Sequence, residues 1–471
     1  MSDYRIERDT MGEMRVPTDA LYGASTARAV ENFPIAHEPV PAEVIHAFGH
    51  LKAACAQANR ELGKLDDKRA SAIIAASQEV AEGKHDAHFP VDIYQTGSGT
   101  STNMNANEVI ANLANERLGF GVGAKDKEGA VHENNHVNMG QSSNDTFPAA
   151  MHIAATLAIA RDLIPALERL HAELAAKASQ WDKIVKIGRT HLMDATPIRV
   201  GQVFSGYAAQ AEYAMIRASR AVKRLGENMP IGGTAVGTGI NTHPQFAAKV
   251  CTALSNKLGV TFTEANNHFE AQAAKDSFVE AHGELKTIAV SLSKIANDIR
   301  HLGSGPRCGI FELMLPEIQP GSSIMPGKVN PVITESVIQV ACRVLGNDVT
   351  VAAAGFGGIG SIFELNVAMP VMIDAFLESV KLLANATNVL VDKLLKGLAV
   401  NEERCRQLID ESLMMVTSLA PKIGYDQAAA LAKEAFKTGK TIRELCRERK
   451  LLPEAELDDA LDPWKMTEPR G

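Results

Sequence analysis

Apolar residues recur at alternating three- and four-residue steps between residues 269 and 302. These positions are Ala271, Ala274, Phe278, Ala281, Leu285, Ile288, Leu292, Ile295, Ile299 and Leu302. The spacing forms one apolar seam over about five heptads, so it predicts a long helix that packs against other helices along its length. The sequence Gly303-Ser304-Gly305-Pro306 predicts the end of this helix.

Further apolar stripes predict four more long helices. One helix covers Phe147–Trp181, with Pro165 expected to kink it. The other three cover Gly201–Gly226, Pro331–Ala354 and Phe363–Lys396. Long helices separated by loops that contain glycine and proline predict a mainly α protein with an elongated central helical bundle.

The regions on either side of this bundle have a different character. We therefore divide the chain into three predicted domains. Residues 1–140 form an N-terminal mixed, mostly helical domain, 141–397 form the central long-helix bundle domain, and 398–471 form a small helical C-terminal domain. The last contains two shorter predicted helices, Tyr425–Thr438 and Thr441–Lys450.

The composition excludes several classes of protein. With 45% hydrophobic and 22% charged residues among 471, the chain is not intrinsically disordered. Its six cysteines are scattered, without a CxxC pair or a Cys/His cluster, so we expect no disulfide scaffold and no metal site of the zinc-finger or ordinary iron–sulfur kind. Isolated thiols are typical of a reducing compartment, and we expect a cytoplasmic protein.

The charge and hydropathy patterns also bear on partners. A net charge of −8 without a concentrated basic segment gives no indication of nucleic-acid binding. The segment Met1–Asp9 lacks the apolar region of a signal peptide. The longest apolar run, Phe147–Ala160, has 14 residues and is too short to span a bilayer. We therefore expect neither a nucleic-acid nor a membrane partner, and an anionic ligand would need a local positive field.

Three polar segments interrupt the predicted helices. The first, Gly140–Pro148, precedes the second long helix, and Pro148 suits a first helical turn. Its Ser and Asn residues either cap that helix or, with backbone N–H groups, hold an anionic carboxylate. The second, Lys186–Pro197, is predicted as a loop. Its His191 is either structural or, if a carboxylate and substrate donors converge on it, an acid–base group.

The third polar segment is Pro320–Pro331, followed by Glu335. Its glycines and prolines predict a mobile loop with rigid ends. It is either a turn and a helix cap, or a functional loop, since two hydroxyls, a cation and an amide lie within nine residues. The Gly-rich run Ile231–Gly239 matches no phosphate-binding pattern and is predicted to be an ordinary loop.

These segments resemble those of a known family. The run Gly321-Ser322-Ser323-Ile324-Met325-Pro326-Gly327-Lys328-Val329-Asn330-Pro331 is very similar to the signature of the fumarase/aspartase superfamily. Thr96–Thr100, Gln141–Asp145 and Gly188–His191 match its other substrate-site segments, in the right order over nearly the whole chain. Within the superfamily the chain resembles the class II, iron-independent fumarases. Its tail, which contains Asn401–Arg404 and Ile423–Asp426, also resembles that group.

The resemblance implies a fold, an assembly and a reaction. It implies a mainly α, three-domain chain that forms a homotetramer with a twenty-helix core, in which each active site collects segments from three subunits. It also implies reversible addition of water to fumarate, giving (S)-malate through an aci-carboxylate intermediate. The partner is then a small dicarboxylate, and no cofactor takes part.

The resemblance also implies residue roles. Ser322 is the catalytic base, acting as an alkoxide in a loop that closes as a lid. Lys328 and Asn330 bind the carboxylate whose charge grows. His191 handles the water, and Glu335 of another subunit orients its ring. The remaining substrate-binding positions are Ser98, Gly99, Thr100, Ser142, Ser143, Asn144, Thr190, Ser323 and Val329.

One segment departs from the family pattern. The family often has a second anion site built from an arginine and a following His-Pro-Asn-Asp stretch. Here Gly129 stands at the arginine position, and the stretch reads His132, Glu133, Asn134 and Asn135, followed by His136. It is either a weak second anion site or a solvated loop.

Three other functions are weighed against this one. Aspartate ammonia-lyases share the base loop, but many of them carry Ala, a Ser-Thr pair and Gln where this chain has Ser98, Ser142-Ser143 and His191. A non-catalytic structural protein can also use this scaffold. The intact set of Ser322, Lys328, Asn330, His191 and Glu335 argues against that alternative, and the cysteine spacing argues against an iron–sulfur hydratase.

Overall fold

The N-terminal region combines one β-hairpin with four helices. The structure, a computed structural model, describes residues 3–469, so residues 1–2 and 470–471 at the outer ends of the first and third predicted domains lie outside it. The sequence pattern did not predict the hairpin. In chain order the elements are β1 (Tyr4–Asp9), β2 (Gly12–Pro17), α1 (Ala24–Asn32), α2 (Ala42–Glu61), α3 (Asp67–Ala81) and α4 (Thr100–Arg117).

The middle of the chain contains the long helices. They are accompanied by two short hairpins and a two-residue strand. The elements are α5 (Ser143–Ala158), α6 (Ile164–Gln180), β3 (Val185–Thr190), β4 (Met193–Arg199), α7 (Val200–Gly226), α8 (Phe246–Leu258), α9 (His268–Ala273), α10 (Asp276–Leu302), β5 (Leu313–Met314), α11 (Val332–Gly355), β6 (Ser361–Ile362), β7 (Leu365–Asn366) and α12 (Met369–Val389).

The C-terminal region is built from short helices around its own apolar core. Buried residues of this core include Leu419, Leu431 and Leu457. The elements are β8 (Ala399–Val400), α13 (Glu402–Glu411), α14 (Ala420–Ile423), α15 (Tyr425–Thr438), α16 (Ile442–Glu448) and α17 (Glu454–Ala460). The strands form the antiparallel pairs β1–β2, β3–β4, β5–β8 and β6–β7, and the fold is mainly α, as predicted.

The heptad seam is buried as predicted, but the helix that carries it is shorter than predicted. Phe278, Leu285, Ile288 and Ile295 are fully buried. The helix does not begin at residue 269, because the backbone is extended at Ala274, which ends α9 before α10 begins. The apolar spacing continues across this break, so periodicity alone could not reveal it.

The helix predicted over Phe147–Trp181 is present, and a π-helical turn divides it into α5 and α6. α5 passes into a π-turn at Ile159–Leu163 and continues as α6. Pro165, which cannot donate a backbone hydrogen bond, is the second residue of α6, two positions after this turn, and such turns accommodate a break in the hydrogen-bond ladder. The assignment of Pro148 to the first turn was wrong, because the helix begins at Ser143 and Pro148 lies inside it.

The predicted helix start at Phe363 was wrong. This position lies in the β6–β7 hairpin, and α12 begins only at Met369. Asn366 stabilises the hairpin, since its side-chain amide donates to the Ala354 carbonyl and the Ser361 hydroxyl. Pro370 therefore lies in the first turn of α12, where its missing N–H costs little.

The chain divides into two compact units. The first unit comprises 1–165, 216–289 and 341–384, and the second comprises 166–215, 290–340 and 385–471. In the first unit, Phe278 of α10 packs edge-on against His152 of α5 and Phe376 of α12. In the second, the Tyr207 hydroxyl of α7 donates to Asp298 of α10. The division into three domains stays a prediction.

Two helical stretches are long and apolar enough to cross a membrane by length and composition alone. They are Ser143–Gln180, with 61% of its most apolar window buried, and Val332–Gly355, with 33% buried. The core helix of a water-soluble protein meets the same criteria, so these stretches are weak evidence for a membrane span. The low burial of the second stretch leaves apolar side chains such as Val349 exposed in the single chain.

Candidate active site

The Thr96–Thr100 segment forms a tight turn that leads into α4. The Ser98 and Thr100 hydroxyls are hydrogen-bonded at 2.8 Å. Gly99 has φ +73°, and a Cβ there would lie 2.1 Å from the ring of Phe147. A Cβ on Gly97 would lie 1.7 Å from the Val367 carbonyl oxygen. Both glycines are therefore required for the turn to pack, and the turn presents two adjacent hydroxyls.

The Gln141–Asp145 segment forms the N terminus of α5. The Ser142 hydroxyl accepts from the Asn144 N–H at 3.2 Å, and Asp145 accepts from the Ser142 N–H at 2.9 Å, which makes a capping box. The other Asp145 oxygen accepts from the N–H groups of Gly232 and Thr234 at 3.0 and 2.9 Å. Asp145 thereby fixes the Gly-rich loop 231–239 to this helix start. Its burial raises the pKa of the carboxyl to about 6, although the three backbone donors oppose the rise.

Asn103 joins these two segments. Its side-chain amide donates to the Ser143 hydroxyl at 2.9 Å, and its carbonyl oxygen accepts from the Thr146 hydroxyl at 3.1 Å. Asn144 in turn donates to the Ala235 carbonyl at 2.8 Å. The structure thus brings together Ser98, Thr100, Ser142, Ser143 and Asn144 within the first unit. Asn103 is not among the residues predicted from the sequence, although its position one helical turn after Thr100 was a signal for it.

The segment predicted as a loop around His191 is a β-hairpin. β3 pairs with β4, and the two residues between them, His191 and Leu192, have φ of 59° and 62°. Positive φ at both central positions is typical of a tight hairpin turn, and non-glycine residues adopt it rarely. Thr190 and His191 are exposed at its tip. Glu312 anchors the hairpin, because its buried carboxylate pairs with Arg189 at 2.7 Å and with Lys186 at 3.1 Å.

The loop 320–331 is closed at its base and exposed along its length. The Gly321 N–H donates to the Lys328 carbonyl at 2.9 Å, and the Asn330 side-chain amide donates to the Gly321 carbonyl. A Cβ on Gly321 would lie 2.1 Å from the Lys328 carbonyl oxygen, so this closure needs glycine. Ser323, Lys328 and Val329 are exposed. Within residues 3–469, the Lys328 ammonium has no ion-pair partner.

The Ser322 hydroxyl is oriented by its own loop. It accepts from the backbone N–H groups of Met325 at 3.0 Å and Ile324 at 3.3 Å. A cavity of about 670 Å³ adjoins the loop, and Lys328, Asn330, Arg300, His301 and Glu317 contribute to its wall. Such a volume accommodates a small ligand.

The chain does not by itself form the pair between His191 and Glu335. Glu335 lies exposed in the first turn of α11, and in the described part of the chain its carboxylate has no ion-pair partner. The His191 ring likewise makes no hydrogen bond to residues 3–469. A pairing between subunits, as implied by the resemblance, therefore stays a prediction.

The proposed second anion site forms a π-turn in which the His132 and Glu133 side chains are engaged. His132 Nδ1 accepts from the backbone N–H groups of Asn134 and Asn135 at 3.0 and 3.5 Å. Glu133 is buried and pairs with Lys125 at 2.6 Å. Asn134 and Asn135 are exposed. Because Glu133 neutralises the nearby cation, the segment offers an anion little attraction, and its role also stays a prediction. In the described residues no group of three His, Cys, Asp or Glu side chains is arranged to hold a metal ion.

Comparison with known proteins adds independent information. A lyase family model matches residues 12–346, and a model of the fumarase C C-terminus matches 415–468. The chain is 54% identical over 470 residues to the class II fumarate hydratase of Corynebacterium efficiens, covering 98% of this chain and 96% of that protein. It is 51% identical to the mitochondrial fumarate hydratase of Mus musculus, covering 100% and 91%. The crystal structure of a class II fumarase from Schistosoma mansoni aligns with a TM-score of 0.95 at 36% identity, over the whole of both chains.

These matches and the mainly α fold with its four polar segments define a lyase of the fumarase/aspartase superfamily. Within that superfamily, the chain belongs to the class II fumarase family. The prediction of the family from sequence motifs and the prediction of its fold are both confirmed.

Proposed function

We propose that this chain catalyses the reversible hydration of fumarate to (S)-malate. Its family membership supports the reaction, and one observation supports the chemistry. The Ser322 hydroxyl accepts two backbone hydrogen bonds, from Met325 and Ile324, so the loop already supplies donors for a negatively charged oxygen. Such donors favour the alkoxide over the neutral hydroxyl, which makes serine a stronger base than it is in water.

The proposed roles of Lys328 and Asn330 follow from the negative charge that develops on the substrate during the reaction. Removing a proton from the carbon beside a carboxylate increases the negative charge on that carboxylate. Lys328 supplies for this charge an ammonium that has no ion pair in the described part of the chain. Asn330 uses one amide donor on Gly321 and keeps the second for the substrate. Transition-state stabilisation by such groups raises the rate because it is stronger for the developing charge than for the bound substrate.

We propose that the active site is completed in a homotetramer. Support comes from exposed apolar side chains on the long helices, among them Val349 of α11 at 68% and Val290 of α10 at 56%. Exposed apolar side chains grouped on one helix, such as Leu345 and Val349 of α11, are typical of an interaction surface. His191 and Glu335 then meet across subunits, where the carboxylate fixes the ring and strengthens it as a base. Light scattering is expected to give four times the chain mass, and a monomer or a dimer would contradict the assembly.

We propose the cytoplasm as the location. The six cysteines are all free thiols in the structure, and four of them, Cys55, Cys251, Cys405 and Cys446, are buried. Free thiols support a reducing compartment. Fractionation of the cells of origin tests this, with activity expected in the soluble cytoplasmic fraction.

The test of the proposed function is a paired absorbance assay in the fumarate band. Malate is expected to generate fumarate, and fumarate is expected to be consumed until equilibrium is reached. Aspartate is the control substrate and is expected to give no signal. A signal from aspartate alone would identify an ammonia-lyase. Silence with both substrates, from a protein that is folded and tetrameric, would indicate a structural protein on this scaffold.

A further inference from the structure

Lys52 of α2 is a buried cation whose hydrogen-bond partners among residues 3–469 are neutral. The residue has no exposed surface. Its ammonium donates to the side-chain oxygens of Asn138 at 3.1 Å and Gln141 at 2.9 Å, which are neutral amides. Within residues 3–469 it makes no ion pair. Because an unpaired buried charge disfavours folding, a lysine at this apolar position needs a functional explanation.

The partners of Lys52 lead directly to the substrate-binding segment. Gln141 immediately precedes Ser142, the N-cap of α5. The Asn138 oxygen also accepts from Asn103, the residue that donates to the Ser143 hydroxyl. The ammonium is thus connected to the N terminus of α5 by two routes, and the whole network lies within the first unit.

We propose that Lys52 is a positioning residue for dicarboxylate binding, which holds Gln141 and the Asn138–Asn103–Ser143 chain in place and adds positive potential at the N terminus of α5. The inference rests on the proposed function, because it takes the substrate to be a dianion bound at this terminus. A helix N terminus attracts anions, and a buried charge adds strongly to this attraction where the dielectric constant is low. Lys52 acts through the segment and does not touch the substrate.

A second buried lysine, Lys275, has partners that indicate a purely structural role. Lys275 is 1% exposed and also makes no ion pair within residues 3–469. Its ammonium donates to the backbone carbonyls of Ala271, Gln272 and Ala274, at the C-terminal end of α9. A cation that caps helix carbonyls needs no ligand to explain it. The hydrogen-bond partners of Lys52 within residues 3–469 are side chains: Gln141 belongs to the substrate-binding segment, and Asn138 is hydrogen-bonded to Asn103. Lys275 therefore supplies the matched control.

The surroundings of Lys52 make its charge sensitive to pH. Burial lowers its pKa to about 8, while the Asp145 carboxylate on α5 acts in the opposite direction. Burial raises the pKa of the Cys55 thiol, and it raises that of Cys251, which faces from α8, to about 12, so both are neutral at physiological pH. The other elements packed on α2 are α3, α4 and the π-turn at Glu133–Val137, and none of their charged groups, Glu133 and His136 included, is among the causes of this shift.

The sign of the pH effect follows. Lys52 loses its proton as the pH rises through about 8, whereas a bound dianion favours the charged form. Affinity for a dicarboxylate is therefore expected to fall above pH 8, and binding near pH 8 is expected to take up a proton from the buffer.

The experiment compares the tetrameric wild type with Lys52→Met, which removes charge and donors, and Lys52→Gln, which removes the charge but keeps a donor. KM and kcat for malate are measured from pH 7 to 9.5. We expect both variants to raise KM roughly tenfold or more at pH 7, with a smaller change in kcat. The difference from the wild type should shrink above pH 8, where the wild type loses the same charge. Lys275→Met is expected to lower Tm and leave KM and its pH profile unchanged.

A binding measurement on the wild type makes the test independent of variant folding and of turnover. Succinate, a non-reacting dicarboxylate, is titrated calorimetrically at pH 8 in buffers of different ionisation enthalpy. Proton uptake is expected in the wild type and absent in Lys52→Gln. A wild-type KM in either Lys52 variant, or no proton uptake by the wild type, would overturn the inference. Failure of the proposed function would instead appear as a wild type that does not turn over malate.

Discussion

The segment 141–146 and the loop 320–330 both carry hydroxyl and amide groups proposed to bind the substrate, yet the protein holds them in opposite ways. In the first, Asp145 is buried and accepts three backbone hydrogen bonds. Asn103 holds the Ser143 hydroxyl, and Lys52 holds the Gln141 side chain. In the second, Ser323 and Lys328 are exposed, and the hydrogen bonds of the loop join its own residues, at its base, in the Ser322 turn and between Lys328 and Met325.

The contrast indicates a division of tasks. A substrate carboxylate that keeps its charge throughout the reaction can be held by a rigid, preorganised site. The groups that act on the reacting carbon must exclude water and release product, and mobile loops serve that purpose. We therefore expect changes in the loop to act mainly on kcat, and changes in the segment to act mainly on stability and binding.

The largest expected effect comes from Ser322→Ala. Removing a general base should lower kcat by about 10²–10⁴-fold, with Tm within about 2 °C of the wild type because the exposed loop contributes little to the core. Steady-state kinetics with malate measure it. Ser179→Ala, at an exposed position near the end of α6, is the control and should retain full activity. If Ser322→Ala keeps more than a tenth of the activity, another group is the base.

The next effect in size is expected from Lys328→Met. Loss of a cation that stabilises developing charge should lower kcat by about 10²–10³-fold. Because the ammonium has no ion pair within residues 3–469, the free energy of unfolding should hardly change. Lys127→Met replaces an exposed lysine of the first unit and should be neutral in activity. An increase in KM with an unchanged kcat would show that Lys328 holds the ground-state substrate and not the developing charge.

Asp145→Ala tests the rigidity of the segment 141–146. Two N–H groups of the loop 231–239 and the N–H of Ser142 would lose their buried acceptor. The free energy of unfolding should therefore fall by about 2–4 kcal/mol, measured by urea denaturation. Asp126→Ala, at an exposed loop position, should change it by less than about 0.5 kcal/mol. Equal stability of the two variants would contradict the rigid segment.

Some parts of the fold and of the site could be predicted from the sequence, and others could not. Motifs identified the family and its fold because four segments occur in order over nearly the whole chain, and heptad spacing identified α10 because one face of it is buried from Phe278 to Ile299. The hairpin that carries His191 was missed because its turn uses His and Leu at positive φ, where glycine or asparagine is the usual signal.

Lys52 and Asn103 were missed for a different reason. Each lies on a helix whose pattern is otherwise that of a buried element, so the sequence showed a polar residue without showing its partner. The partners of Lys52 lie 86 and 89 residues away, and the Ser143 hydroxyl lies 40 residues from Asn103. Local sequence patterns do not reveal contacts between residues so far apart in the chain. The family resemblance identified only residues inside the matching motifs, and Lys52 and Asn103 lie outside them.

The smallest expected effect is a change in backbone protection, and it tests the comparison without any mutation. Hydrogen exchange is measured with and without succinate. Amides of residues 322–328 should exchange rapidly in the free protein and become slower with the ligand, because closure orders the exposed loop. Amides of residues 143–146, already in a capped helix start, should be protected in both states. Equal protection of the loop in the two states would argue against a lid, even with Ser322 established as the base. Rapid exchange in the free segment would show that substrate creates that order, so Lys52 and Asp145 would act only after binding.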